Sequence, residues 1–255
     1  MIVLQSFACA VAFLTRIPMP GRASLAPGVA GGSVAFFPVV GLLLGLASGG
    51  VAVLLRDRLG LPAHLLWALL LVALHAFLTG ALHLDGLSDV VDGLGGSRGD
   101  RDRALEIMKD PRVGAFGVVA LILVIGSKII VMNEALQRPG AFAILLAAPM
   151  VARFAAALLV VFFPCARATG LARTFHDESR WPVAVVAAAF TAGGLWYFGP
   201  ALRIPAACAL GAGLAVGGWI AIRLRGLTGD AYGAAIELSE LTFLAVAAWP
   251  RIRGG

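Results

Sequence analysis

Residues 83 to 117 read HLDGLSDVVDGLGGSRGDRDRALEIMKDPRVGAFG, a polar stretch that interrupts an otherwise apolar chain. Asp85, Asp89 and Asp92 are spaced i, i+4 and i+7, so on a helix their carboxylates share one face. Three carboxylates on one face repel unless they are protonated, well solvated or bridged by cations. Hard oxygen donors at this density suit Mg²⁺ or Mn²⁺. Arg98, Arg101, Arg103, Lys109 and Arg112 follow directly. An acidic metal-binding face followed by basic residues is the donor set of a phosphate or diphosphate site, where the metal bridges phosphate oxygens and the cations hold the rest. The competing reading is a solvated loop with balanced charge.

Working outward from this stretch, composition sets the class. Hydrophobic residues make up 60% of the 255, charged residues 13%, and Gly numbers 32. Mean hydropathy is +0.93. These values lie outside the soluble globular range and predict an all-α, polytopic integral membrane bundle, a single domain over residues 1–255. The formal net charge of +6 is the Lys/Arg bias expected of cytoplasmic loops, and nucleic acid is discounted as a partner in favour of the lipid bilayer. Cys9, Cys165 and Cys208 are scattered singly in apolar surroundings, without CxxC spacing, and are expected to pack.

Apolar runs at about 33–55, 61–84, 113–132, 140–163, 182–198, 204–222 and 232–249 predict about seven transmembrane helices, with 33–84 and 182–222 as helical hairpins. The stretch Ile2 to Leu14 is too short for a span and lacks a basic n-region. It predicts an interfacial or re-entrant helix retained in the mature protein, stopped by Pro18 and Pro20 and followed by a loop over 21–32. Twelve of the twenty Lys and Arg fall on one side of these spans and six on the other, with Lys128 and Arg153 inside apolar runs. The positive-inside rule puts the N-terminus and the loops around 85–112, 164–181 and 223–231 in the cytoplasm.

A second acidic stripe lies on that predicted face. Asp230, Gly233, Glu237 and Glu240 follow helical spacing, and Gly233 admits a close approach. Glu237 and Glu240 enter an apolar segment, where an ionisable group requires a partner, a cation or a wet cavity. Two acidic faces on one side predict a shared metal site; the alternative is a capping Asp230 with buried neutral glutamates. Arg153 is expected to point inward, toward a carboxylate or a bound phosphate. His83 is a candidate proton relay or substrate contact, or a hydrogen-bonded interfacial histidine. His64, His75 and His176 carry no distinguishing spacing, and Lys128 is expected to snorkel from the outer end of its helix.

The strings His83 to Gly93 (HLDGLSDVVDG), Ala104 to Asp110 (ALEIMKD) and Arg112-x-Gly114 resemble the cobalamin synthase (adenosylcobinamide-GDP ribazoletransferase) family. Leu14-Thr15-Arg16-Ile17-Pro18, the Gly41 to Gly45 run, and Thr228-Gly229-Asp230 through Glu237 and Glu240 extend that resemblance over nearly the whole chain. Pro111 departs from it, standing where the family favours a small hydroxyl residue.

The resemblance implies the last assembly step of vitamin B12 synthesis, in the bacterial inner membrane and dependent on Mg²⁺. The 5′-hydroxyl of α-ribazole, or the corresponding sugar oxygen of its 5′-phosphate, joins adenosylcobinamide-GDP, and GMP leaves. On this reading Asp85, Asp89 and Asp92 bind metal. Asp230, Glu237 and Glu240 form a second ligand set or supply the base, Glu237 being a catalytic candidate. His83, Arg98, Lys109, Arg112 and Arg153 contact substrate. One alternative is a CDP-alcohol phosphotransferase, although Asp85-Gly86 lacks the following Ala-Arg of that family's motif. A more distant one is a cation-coupled transporter, with the intramembrane charges as its pathway.

Overall fold

The computed structural model describes residues 2–19, 26–55 and 65–252. Pro20, Arg22, Arg56, Arg58, Arg253 and His64, together with residues 21–25 of the expected 21–32 loop, lie outside the described residues, and residues 29–32 of that expected loop are helical instead. The helices are α1 (Ile2–Leu14), α2 (Val29–Ser33), α3 (Phe37–Val53), α4 (Leu65–Thr79), α5 (Leu82–Gly96), α6 (Arg101–Ile107), α7 (Ala115–Leu136), α8 (Ala141–Phe162), α9 (Leu171–Glu178), α10 (Trp181–Phe198), α11 (Arg203–Leu224) and α12 (Gly229–Ile252). Among the described residues there is no strand, only an isolated bridge between Cys165 and Leu227.

Among the described residues, six helical stretches are long and apolar enough to cross a bilayer: 29–53, 115–136, 141–162, 181–198, 200–224 and 229–249. The expected run at 61–84 is not a straight rod. Helix α4 ends at Thr79, and α5 leaves it at 88°, so the two count as a span only as a bent pair. The break is built by Gly80 and Ala81, both left-handed at φ 62° and 56°. The Ala81 amide donates back to the Ala76 carbonyl at 2.7 Å, closing α4 with the bond pattern of a left-handed cap.

Helix α8 is the axis of the bundle, buried almost without interruption from Ile144 to Val160. Helix α3 lies on it through Gly41, Gly45 and Gly49, where a Cβ would collide with Pro149, Leu146 and Phe142 respectively. Small residues at i, i+4 and i+8 allow this close approach, which replaces the hydrophobic drive that lipid cannot supply. The expected hairpins are therefore weak units. Helix α3 packs far more on α8 than on α4, and α10 and α11 each lean on α8. Outward faces carry Phe77, Ile122, Trp196 and Ile222, as a lipid-solvated surface requires. Helix α1, about 20 Å long and too short to span, packs beside α3 and α9, with Phe13 stacked between Phe37 and Phe175.

Hydrogen bonds gather the polar segments at one end of the bundle. Arg101 donates from Nε to the Leu224 carbonyl at 2.8 Å and from Nη2 to the Ala166 carbonyl at 3.1 Å. The Ala166 amide donates to Leu227 O and the Leu227 amide to Pro164 O, at 2.8 and 2.7 Å. Segments 85–112, 164–167 and 223–231 thus share a face. At the far end Arg138 donates to the Ala248 carbonyl at 2.7 Å.

Candidate active site

Helices α5 and α12 meet backbone to backbone. A Cβ on Gly86 would lie 2.7 Å from the Asp230 carbonyl oxygen and 2.9 Å from its Cα; one on Gly233 would lie 3.0 Å from the His83 carbonyl. The approach expected at Gly233 is thus made by α5 itself. This crossing sets the first turn of α12 against the α5 face that carries Asp85 and Asp89. Asp85 is exposed and Asp89 half-buried. Asp89 lies within electrostatic reach of Asp85, Asp230 and Asp92, with Arg167 as the opposing cation. Arg167 Nη2 is 3.2 Å from Asp230 Oδ2. Sequence reasoning counted Arg167 only toward topology, because nothing in its spacing ties residue 167 to residue 230.

Asp92, expected as a metal ligand, caps the start of α7 in this structure. Its Oδ2 accepts from the Gly114 amide at 2.7 Å and its Oδ1 from the Gly117 amide at 2.8 Å. Those are unsatisfied donors at the start of α7, and the carboxylate also meets the positive end of that helix. Gly114 and Gly117 are required here, since a Cβ on either would strike the Asp92 side chain. Asp92 therefore needs no cation to offset its burial.

Glu237 and Glu240, also expected as metal ligands, are engaged by cations of the bundle. They lie two and three turns below Asp230, inside the bundle, where cations from other helices already meet them. Lys128 Nζ is 2.7 Å from Glu237 Oε2 and 3.3 Å from Glu240 Oε1, and Arg153 Nη1 is 2.5 Å from Glu240 Oε2. His75 Nδ1 sits 3.1 Å from Glu240 Oε1, and its Nε2 is 2.6 Å from Ser48 Oγ. Lys128 is 5% exposed and Arg153 1%. Lys128 thus does not snorkel, and Arg153 takes the carboxylate among its expected partners. The physical reason is shared: in a low-dielectric interior each charge is held only where an opposite charge meets it. Both ring nitrogens of His83 are buried without a hydrogen-bond partner beside this network.

Among the basic candidates, Arg98, Lys109 and Arg112 are exposed. Arg112 is engaged by Asp110, with Nη2 to Oδ2 at 2.6 Å and Nε to Oδ1 at 2.9 Å. Those hydrogen bonds hold the Asp110 carboxyl down at about 2. Asp100 caps α6, accepting from the Asp102 and Arg103 amides at 2.9 and 3.0 Å. Among the described residues, no three His, Cys, Asp or Glu side chains as they stand converge on a common metal position. What the crossing does bring together is Asp85, Asp89, Asp230 and Arg167, three carboxylates against one guanidinium.

A family model described as cobalamin-5-phosphate synthase matches residues 6–248. The chain is 41% identical over 252 residues to an adenosylcobinamide-GDP ribazoletransferase of Klebsiella pneumoniae subsp. pneumoniae, covering 95% of this chain and 98% of that protein. It is 41% identical over 251 residues to the protein of the same name from Geotalea daltonii (95% and 96% covered), and 39% over 251 residues to that of Syntrophobacter fumaroxidans (95% and 97%). No solved structure matches. The acidic crossing of α5 and α12 and the end-to-end similarity lead to one conclusion: the chain belongs to the cobalamin-5-phosphate synthase family.

Proposed function

We propose that this chain joins α-ribazole, or its 5′-phosphate, to adenosylcobinamide-GDP with release of GMP, as a Mg²⁺-dependent single catalytic unit of the bacterial inner membrane whose acidic face is cytoplasmic. The observation that carries this reading is the α5–α12 crossing, which stacks Asp230 against Asp85 and Asp89 in a chain of this family. A product bearing a 5-phosphate, as the family's name has it, requires an attacking ribose hydroxyl other than the 5′ one, and this replaces the 5′-hydroxyl expected from sequence.

In the reaction the ribose oxygen bonds to the phosphorus borne by cobinamide, the P–O bond to GMP breaks, and the hydroxyl proton passes to a base. Such a site holds the diphosphate, aligns the alcohol and offsets the charge that grows on the leaving phosphate. Asp85, Asp89 and Asp230 suit Mg²⁺ by donor chemistry: hard carboxylate oxygens on a solvent-reachable face, with a surplus of negative charge that Arg167 alone does not cancel. Asp85, Asp89 and Asp230 would hold the ion, which would supply neutralisation of the diphosphate's charge. Asp92 shapes the site by fixing the start of α7. Glu237, Glu240 and Arg153 act from below, holding α12 in the register that presents Asp230. Arg98 and Lys109 remain available to the phosphates from the exposed rim.

Neither alternative is supported. The intramembrane charges are mutually neutralised across the bundle rather than arrayed along a path, which removes the feature that favoured a transporter. The test is product formation by purified protein given adenosylcobinamide-GDP, α-ribazole and Mg²⁺, identified by mass and abolished by chelation. Turnover of a CDP-alcohol in place of these substrates would sink the proposal.

A further inference from the structure

We infer that Arg167 is the diphosphate-binding arginine of this site, pairing with Asp230 in the substrate-free protein and taking phosphate oxygens of the guanosine diphosphate group when substrate binds. The inference rests on the function proposed above and deepens it. Its base is held from three directions. The neighbouring Ala166 amide donates to Leu227 O, the Ala166 carbonyl accepts from Arg101 Nη2, and Gly226, at φ 141°, lets the chain pass so close that a Cβ there would lie 2.7 Å from the Ala166 nitrogen.

The guanidinium beyond that fixed base is only partly used. A guanidinium offers five N–H donors, and here Nη2 meets Asp230 Oδ2 at 3.2 Å while Nε is buried without a partner. The side chain is 30% exposed, so it is reachable from the same face as Asp85 and Asp89. Asp85, Asp89 and Asp230 with Arg167 leave two negative charges, which one divalent cation cancels. With the carboxylates so satisfied, the planar fork can grip two phosphate oxygens at once, a geometry that lysine does not offer. The basic residues that the sequence singled out are placed less well. Arg98, Lys109 and Arg112 are exposed, and Arg112 is committed to Asp110.

The experiment uses GDP as probe, with Mg²⁺, titrated calorimetrically into the purified full chain and into Arg167→Met and Arg167→Lys. Arg167→Met should weaken GDP binding on the order of tenfold to a hundredfold, the loss expected for a charge-assisted pair. Arg167→Lys should weaken it less, and the KM for α-ribazole should be unchanged in both. If Arg167 served only as counterion to Asp230, the melting temperature would fall and both substrates' KM values would move together, and GDP affinity measured on the folded fraction would stay near that of the parent. That result, or absence of GDP binding by the parent, overturns the inference. Product formation by the parent is scored separately. A parent that makes product while Arg167→Met binds GDP normally refutes this inference alone, and a parent that makes none refutes the ribazole-transfer reading whatever the GDP titration gives.

Discussion

Replacing Lys128 by Met keeps the length of the side chain and removes its charge from the interior of the bundle. In the parent, Lys128 and Arg153 balance Glu237 and Glu240, with side-chain exposures of 7%, 2%, 8% and 3%. Lys128→Met leaves one carboxylate uncompensated. Breaking a buried pair by removing one partner costs about 3 to 5 kcal/mol, whereas removing both partners is often nearly neutral. For a chain of this size such a loss lowers the melting temperature by on the order of 10 °C. Glu237→Gln in the Lys128→Met background restores the balance of Arg153 against Glu240 and should recover most of that loss, a coupling of about 2 to 3 kcal/mol. The assay is retention of monodisperse protein after heating in detergent, for the parent, both single variants and the double variant. Equal stability of Lys128→Met and parent would refute the premise that this network is shielded from water. A double variant as unstable as the single ones would refute the pairing.

Asp85→Asn and Asp89→Asn should each lower ribazole transfer on the order of 100-fold or more without loss of fold, measured as turnover per folded molecule across a Mg²⁺ titration. Asp92→Asn should behave otherwise, since it loses one of two acceptors at the start of α7. It should cost about 0.5 to 2 kcal/mol of stability, read by thermal unfolding, and leave the Mg²⁺ concentration for half-maximal transfer where it was. Gly86→Ala or Gly233→Ala forces a Cβ into the facing backbone at 2.7 or 3.0 Å. Either should separate α5 from α12 at a cost of about 1 to 3 kcal/mol and depress turnover more than stability, as paired melting and activity measurements would show. Single cysteines at Arg98 and Arg225 should label from the cytoplasmic side of inverted vesicles, and one at Gln137 from the other side; labelling of positions 98 and 225 from opposite sides would contradict the shared face.

Much of the fold was legible because lipid imposes a simple rule: every span must be long, apolar and helical, and each loop between spans must be polar. The i, i+4, i+7 spacing of Asp85, Asp89 and Asp92 was correctly a helical face, and Gly233 correctly a point of close approach. The turn at Gly80-Ala81 was not legible. Hydropathy runs on smoothly from 61 to 84, whereas the break is made by two left-handed residues, one of them an alanine. The fate of the glutamates was also hidden. Glu237 finds Lys128 across 109 residues of sequence, and no local pattern announces a pairing of that range. The cap formed by Asp92 was hidden for a related reason. A carboxylate that caps a distant helix looks, in one dimension, the same as one that holds a metal, and only Gly114 and Gly117 marked the difference. Arg167 was passed over because its relation to Asp230 exists only once Ala166 and Leu227 are bonded.

The network below the acidic face bears on how the protein is made. Helices α7 and α8 each carry one cation into the membrane, and a central Lys or Arg costs about 2.5 to 3.5 kcal/mol on insertion. The carboxylates that neutralise Lys128 and Arg153 arrive with α12, 109 and 87 residues later respectively. During synthesis, then, two charged helices wait in or beside the translocon for a partner that the ribosome has not yet delivered. Helix α12 in turn carries two carboxylates into the bilayer whose cationic partners lie on those helices. Insertion of the earlier helices and of α12 is thereby made mutually dependent, and the acidic face is presented only by a bundle whose charges have all been matched.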